Sequence, residues 1–300
     1  MTPEGLSDLV NPTVTLEPIA TGCLFTEGPA WHPQERSLVF SDMPGDVRRR
    51  WTAEAGVEEI RRPANKCNGM AYDPAGNLVV CEHATSRLVR ERKDGSVEVL
   101  ASGYRDRELN SPNDVAIRET GAIYFTDPIY GRSPGFGVPR PPGLPFRGVY
   151  RVAEGLPDEP ELLVAEDEFD QPNGLCFSPD GDLLYVNDTP RALIRVYQLD
   201  AAGALGQGRL FASGIGDGDA DKGAPDGMKC DARGNVWVTG PGGLWVFAPD
   251  GSRLGVLPVP EVVGNFAWGG DDWRDLFICA STSVYRTRTL VDGRRPAFTG

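Results

Sequence analysis

A unit made of a polar residue, a short apolar strand, a tight turn and a second apolar strand recurs six times along this chain, and few folds accommodate such a pattern. Residues 111–127, SPNDVAIRETGAIYFTD, show it plainly. The other copies are EGPAWHPQERSLVFSD from Glu27, NGMAYDPAGNLVVCE from Asn68, NGLCFSPDGDLLYVND from Asn173, DGMKCDARGNVWVTG from Asp226 and NFAWGGDDWRDLFICAS from Asn265. Their leading residues, Glu27, Asn68, Asn113, Asn173, Asp226 and Asn265, stand 41, 45, 60, 53 and 39 residues apart, and the second strand ends 14 to 16 residues after each. Repeats of about 40–50 residues with several strands apiece specify propeller blades. The expectation is an all-β, six-bladed β-propeller with four-stranded blades. The last copy has only three strand-like runs, so residues 14–20, VTLEPIA, are expected to supply its fourth strand and close the ring, which removes open sheet edges.

The repeat covers nearly the whole chain, so residues 13–300 are expected to form one domain behind a loose leader of residues 1–12. The 37 glycines and 26 prolines suit many short strands joined by turns, because 40% of the residues are still hydrophobic and can build a core. DPAGN (73–77), SPDGD (178–182), DARGN (231–235) and APDGS (248–252) are the hairpin connections, with Gly placed for a positive φ. A net charge of -13 argues against nucleic acid or an anionic membrane as partner and leaves room for a cation. MTPEGLSDLVNP has neither a basic n-region nor an apolar h-region, and no apolar run reaches the length of a membrane span, so a cytoplasmic location is expected. Cys23, Cys67, Cys81, Cys176, Cys230 and Cys279 show no CxxC pair and fit buried free thiols rather than disulfides or a zinc site.

Equivalent positions of successive blades lie at one depth around a central channel, so the leading residues should meet there. Asn-Gly and Asp-Gly are ordinary turn dipeptides, yet the same slot accepts Glu27 and, ahead of Asp114, Asn113, while excluding every apolar residue. Glu27, Asn113, Asn173 and Asp226 would offer two carboxylates and two amide oxygens. That hard set suits one divalent cation, Ca²⁺ first, with Mg²⁺, Mn²⁺ or Zn²⁺ as alternatives. Lacking Cys and His, it does not suit a structural zinc. Of the two histidines, His32 reads as structural, whereas His83 follows Cys81-Glu82 at a strand end, level with Asp42, Asp127 and Asp188. It is a channel-mouth candidate for substrate contact or proton transfer. A Ser-His-Asp triad has no support, since there is no GxSxG. The Pro- and Gly-rich insertion 129–148 is either a lid over the channel mouth or a solvated excursion, and 214–227 is an acidic loop leading into Asp226.

Glu27-Gly28-Pro29, Leu109-Asn110-Ser111-Pro112-Asn113-Asp114-Val115, Tyr124-Phe125-Thr126-Asp127-Pro128, Gln171-Pro172-Asn173-Gly174-Leu175 and Pro225-Asp226-Gly227-Met228 together resemble the gluconolactonase and regucalcin (senescence marker protein) family. The resemblance spans about residues 14–290 and implies a six-bladed propeller with one divalent metal in its channel. It implies Glu27, Asn173 and Asp226 as metal ligands, Asn113 as a fourth ligand or substrate contact, and Asp226 as general base. The regucalcin branch has Arg where this chain has Ser111, so the SPND form is similar to bacterial-type gluconolactonases and a sugar-orienting Arg does not carry over. The implied reaction is hydrolysis of a sugar lactone to the aldonic acid, with Asn68, His83 and Tyr130 expected to contact the small-molecule substrate. Two other readings stay open: an organophosphate hydrolase of the diisopropyl fluorophosphatase type, and a non-catalytic binding platform, which would show exposed aromatics on its outer face.

Overall fold

The computed structural model describes residues 5–158, 160–217 and 219–298, and these form six four-stranded antiparallel sheets. Blade I is Thr26–His32, Ser37–Asp42, Val47–Thr52 and Gly56–Arg61; blade II is Cys67–Tyr72, Leu78–Glu82, Arg87–Glu91 and Val97–Ala101. Blade III is Val115–Ile117, Ile123–Asp127, Gly148–Val152 and Glu161–Leu162; blade IV is Pro172–Phe177, Leu183–Asp188, Leu193–Gln198 and Arg209–Ser213. Blade V is Met228–Cys230, Val236–Gly240, Gly243–Phe247 and Arg253–Pro258. Blade VI takes Val263–Gly269, Asp275–Ala280 and Ser283–Arg288 from the end of the chain, and its outermost strand, Glu17–Ala20, from the beginning. Glu17 faces Arg286 and Ala20 faces Val284, so the expected closing strand is present.

The fully apolar second strands are explained by burial on both faces. Ile123 and Phe125 pack with Val79, Cys81 and Leu88 of blade II, while Tyr124 between them packs with Leu175 and Phe177 of blade IV. Side chains that alternate across a strand thus enter two different wedges of core. Aromatic pairs join neighbouring blades: Trp31 stacks on Phe277 at 5.2 Å between blades I and VI, and Trp237 meets Trp268 edge-on at 5.3 Å between blades V and VI. Each such pair adds roughly 0.5–1.5 kcal/mol beyond the area it buries. All six cysteines are free and buried.

Gly181 and Gly234 sit at φ 77° and 85° in their hairpins, as the turn sequences require. The glycines that follow the leading residues have a different task. A Cβ at Gly28 would overlap the Asn68 carbonyl oxygen, and one at Gly174 would overlap that of Asp226. Neighbouring inner strands approach too closely there for any side chain, so these dipeptides are packing devices within the channel wall rather than turns.

Two stretches close the ends. Residues expected to be a loose leader pack down: Leu6–Asp8 is a 3-10 turn, and Leu9 and Val10 are buried in the core shared by blades V, VI and I. The C-terminal segment crosses the far side of the channel. Arg294 donates from its backbone to Cys230 O at 3.0 Å and from Nε to Ser178 O at 2.8 Å, and Phe298 packs on His32 and Tyr72. His32 accepts from Glu35 N at 3.1 Å and is structural, as expected. Among the described residues, no helix is long and apolar enough to cross a membrane.

Candidate active site

The leading residues do converge. Glu27, Asn68, Asn113, Asn173 and Asp226 line one cavity of about 460 Å³ at the mouth of the channel, with His83, Tyr130 and Thr189 on the same wall and Phe25, Met43, Phe136, Val262 and Val263 opposite. The amides form a head-to-tail chain: Asn68 Nδ2 donates to Asn113 Oδ1 at 2.9 Å, and Asn113 Nδ2 to Asn173 Oδ1 at 2.6 Å. Asn173 Nδ2 donates to Thr189 Oγ1 at 3.0 Å, and the same amide hydrogen-bonds the Asp226 carboxylate. From the other side Asn265 Nδ2 donates to Glu27 Oε2 at 3.1 Å and Gly28 N donates to the same oxygen at 2.7 Å, which leaves Oε1 for another partner.

Burial pushes both acids up. Glu27 is raised to about 7, with Asp114 nearby adding to the effect, and Asp226 is raised well above the usual carboxylate range by burial and then by Glu27 and Asp114. Asp226 is walled in by protein yet open to the cavity, so its carboxylate faces whatever enters there.

This electrostatic arrangement tests whether a divalent cation fits. Glu27, Asp114 and Asp226 act on one another, and the single ammonium that acts on them is Lys229. Three carboxylates against one ammonium leave the charge that one divalent ion neutralises. Asp114 Oδ2 is buried with no hydrogen-bond partner, its nearest cation being Lys229 Nζ at 3.7 Å. The oxygens of Asn113 and Asn173 each keep a lone pair beyond the amide chain. The donor set fits a hard cation. Among the described residues no group of three or more His, Cys, Asp or Glu side chains forms a metal cage, so any ion here would depend on the two amides.

His83 is fully buried at the cavity wall. Its Nδ1 lies 2.9 Å from Phe136 O, a carbonyl that can only accept, so Nδ1 carries the proton and Nε2 accepts from Asn68 Nδ2 at 3.3 Å. Burial lowers its pKa to about 4, so the ring is neutral at pH 7 and acts as a fixed acceptor. Its expected alignment with Asp42, Asp127 and Asp188 is corrected by the strand pairings. Glu82 opposes Cys67 as Asp42 opposes Thr26 and Asp188 opposes Pro172, so Glu82 holds that slot and His83 lies one residue beyond. The three aspartates are clasps: Asp127 accepts from Asn110 N at 2.8 Å and Ser111 N at 2.7 Å, and Asp42 accepts from Leu24 N and Phe25 N. Each pins the loop that delivers its blade's leading residue.

The 129–148 insertion lies over the mouth. Phe136 meets Phe25 edge-on at 5.4 Å, Lys66 Nζ donates to Gly135 O at 3.3 Å, and the Tyr130 hydroxyl faces the cavity beside Thr189 and Asn173 with no bonded partner. Ser111 Oγ donates to Pro128 O at 2.5 Å and accepts from Gly131 N at 3.0 Å. Gly131 packs against Ser111 and His83, leaving no room there for a longer side chain. Sequence reasoning missed Asp114, Lys229 and Thr189. A signal existed for Asp114, which stands where four other copies have Gly28, Gly69, Gly174 and Gly227.

Comparison with known proteins agrees with this geometry. The gluconolactonase of Zymomonas mobilis subsp. mobilis is 33% identical over 96% of this chain and 85% of its own length. Pentonolactonase XacC of Haloferax volcanii is 26% identical over 87% of this chain and 82% of its own. The solved structure of XC5397 from Xanthomonas campestris, described as a gluconolactonase, superposes with a TM-score of 0.85 at 32% identity, covering 95% of this chain and 92% of that one. The SMP-30/Gluconolactonase/LRE-like region matches residues 25–282, and with the cavity formed by the leading residues inside that span, the chain belongs to this family.

Proposed function

We propose that this protein is a lactonase that opens a sugar lactone to the aldonic acid with the help of one divalent cation, Ca²⁺ being the ion the all-oxygen donor set suits best. The observation that carries the reading is the meeting of Glu27 from blade I and Asp226 from blade V in one cavity, both with raised pKa, in a field that lacks two positive charges. Relatives named gluconolactonase and pentonolactonase support a lactone substrate and leave the ring size open. A non-catalytic platform fits poorly: among the described residues the one exposed large aromatic is Phe136, and it stands at the cavity.

Glu27, Asn113, Asn173 and Asp226 would hold the ion, and its chemistry is Lewis-acid polarisation of the lactone carbonyl. Asp226 is the general base. One carboxylate oxygen takes a proton from the attacking water as its oxygen bonds to the carbonyl carbon, and returns a proton to the ring oxygen as the ring C–O bond breaks. A carboxyl raised toward neutrality suits both halves of that exchange. Asn68, Asn113, the neutral His83 and the free Tyr130 hydroxyl present acceptors and donors to sugar hydroxyls, while Phe25 and Phe136 cover the opposite side.

The test is lactone hydrolysis in a pH-stat, with glucono-1,5-lactone and a pentonolactone, using chelator-stripped protein, protein with Ca²⁺, Mg²⁺, Mn²⁺ or Zn²⁺ restored, and Asp226→Asn. Stripping should abolish turnover, one or more ions should restore it, and Asp226→Asn should lower kcat about 10²–10⁴-fold. Turnover that survives both stripping and the substitution would end this reading.

A further inference from the structure

Three residues after each leading residue the repeat places a second ring, one step deeper in the channel: Ala30, Ala71, Ala116, Cys176, Lys229 and Trp268. Five of the six are apolar, and all six line a small chamber of about 130 Å³ closed from below by Arg294, Pro296 and Ala297. Lys229 is the exception. Its neighbours in the strand, Met228 and Cys230, turn into the core between blades IV and V, so Lys229 points the opposite way, into the channel. The three alanines leave space for its stem.

The ammonium reaches two blades from there. Nζ donates to Asn265 Oδ1 at 3.2 Å, which turns that amide so that Nδ2 donates to Glu27 Oε2 at 3.1 Å. It also lies 3.7 Å from Asp114 Oδ2, the buried carboxylate oxygen that has no hydrogen-bond partner.

We propose that Lys229 is the positioning and charge-setting residue of the cation site: it orients Glu27 through Asn265 and cancels one of three carboxylates, so that the site selects a divalent over a trivalent ion. This rests on the cation reading above. Ca²⁺ and the larger lanthanides are close in size and prefer the same oxygen donors, so their discrimination depends on site charge. Removing one positive charge about 6 Å from the ion, at an effective dielectric near 20, should favour a trivalent over a divalent ion by about tenfold or more.

The experiment measures Ca²⁺ and Tb³⁺ dissociation constants by calorimetry and luminescence competition, for wild type, Lys229→Met, Lys229→Arg, Asp114→Asn and the Asp114→Asn/Lys229→Met double variant. Lys229→Met should raise the preference for Tb³⁺ over Ca²⁺ at least about tenfold. Lys229→Arg should keep the wild-type ratio, Asp114→Asn should shift it the other way, and the double variant should restore it. A ratio within twofold of wild type in folded Lys229→Met overturns the proposal. Should that variant fail to fold, an unchanged ratio in Asp114→Asn overturns it equally. Wild-type protein that binds neither ion would sink the cation reading itself, whereas binding of both with an unmoved ratio removes only the role of Lys229.

Discussion

At the scale of single residues the channel is governed by buried acids that lack enough positive charge. Glu27 is raised to about 7 and Asp226 further still, mainly by burial, so the cation-free folded protein holds protons that the unfolded chain has lost. A carboxyl whose folded pKa is raised contributes stability at low pH that disappears as pH climbs through the folded value. His83 works in the opposite sense: with its pKa lowered to about 4, its contribution is lost as pH falls below the ordinary histidine value, and above pH 6.5 it is neutral in both states. The window from pH 6.5 to 8 therefore isolates the acids. With chelator present the melting temperature should fall across that window, saturating Ca²⁺ should abolish the fall, and Asp226→Asn should flatten it without Ca²⁺. Thermal melts at each pH with and without the ion check this. A slope that neither Ca²⁺ nor the substitution alters would mean that the two acids do not control it.

Among the elements, the 129–148 insertion is the one that shapes the mouth, and a single buried guanidinium ties it down. Arg132 Nε donates to Asn110 O at 2.5 Å, Nη1 to Pro141 O at 3.1 Å, and Nη2 to both Glu108 Oε2 at 2.9 Å and Leu109 O. Asn110 adds a clamp of its own, donating to Phe146 O at 2.8 Å and accepting from Leu144 N at 3.1 Å. Arg132→Ala orphans several buried carbonyls and should cost about 3 kcal/mol. Its specific signature should be faster amide exchange within 129–148 while the blade strands stay protected, together with a rise in lactone KM of about tenfold through displaced Tyr130 and Phe136. Unchanged exchange in the insertion, measured by mass spectrometry, would show that the loop is held by something else. Composition alone left this loop between lid and solvated excursion, because Pro and Gly content says only that no regular element forms. Its course is decided by contacts to Phe25, Lys66 and His83 from blades I and II.

For the molecule as a whole, closure is the critical feature, since each blade packs only on its neighbours and the ring has one covalent gap. Glu17–Ala20 covers the edge of Ser283–Arg288, and ahead of it Leu9 and Val10 add buried apolar surface worth about 1.5–3 kcal/mol apiece. Deleting the chain up to Ala20 should remove that contribution and expose a strand edge. We expect a lower melting temperature and concentration-dependent association on size-exclusion chromatography. A truncated chain that remains monodisperse with an unchanged melting temperature would refute the closing role.

The six-fold repeat, its strand order, the hairpins and the closing strand were all legible in the sequence, because hydrophobic alternation and turn glycines are local properties repeated at a regular spacing. Glu27, Asn113, Asn173 and Asp226 were legible for the same reason: an equivalent place in a repeat means an equivalent depth in a channel. Other features were decided only when blades distant in sequence came together. Asp114 and Lys229 meet across the channel from blades III and V, Gly28 and Gly174 are required by the backbone of the next blade, and Asp42, Asp127 and Asp188 turned out to be clasps. A repeat tells which positions share a level, whereas the charge and free space at that level are sums over all six blades, and those sums exist only in the closed ring.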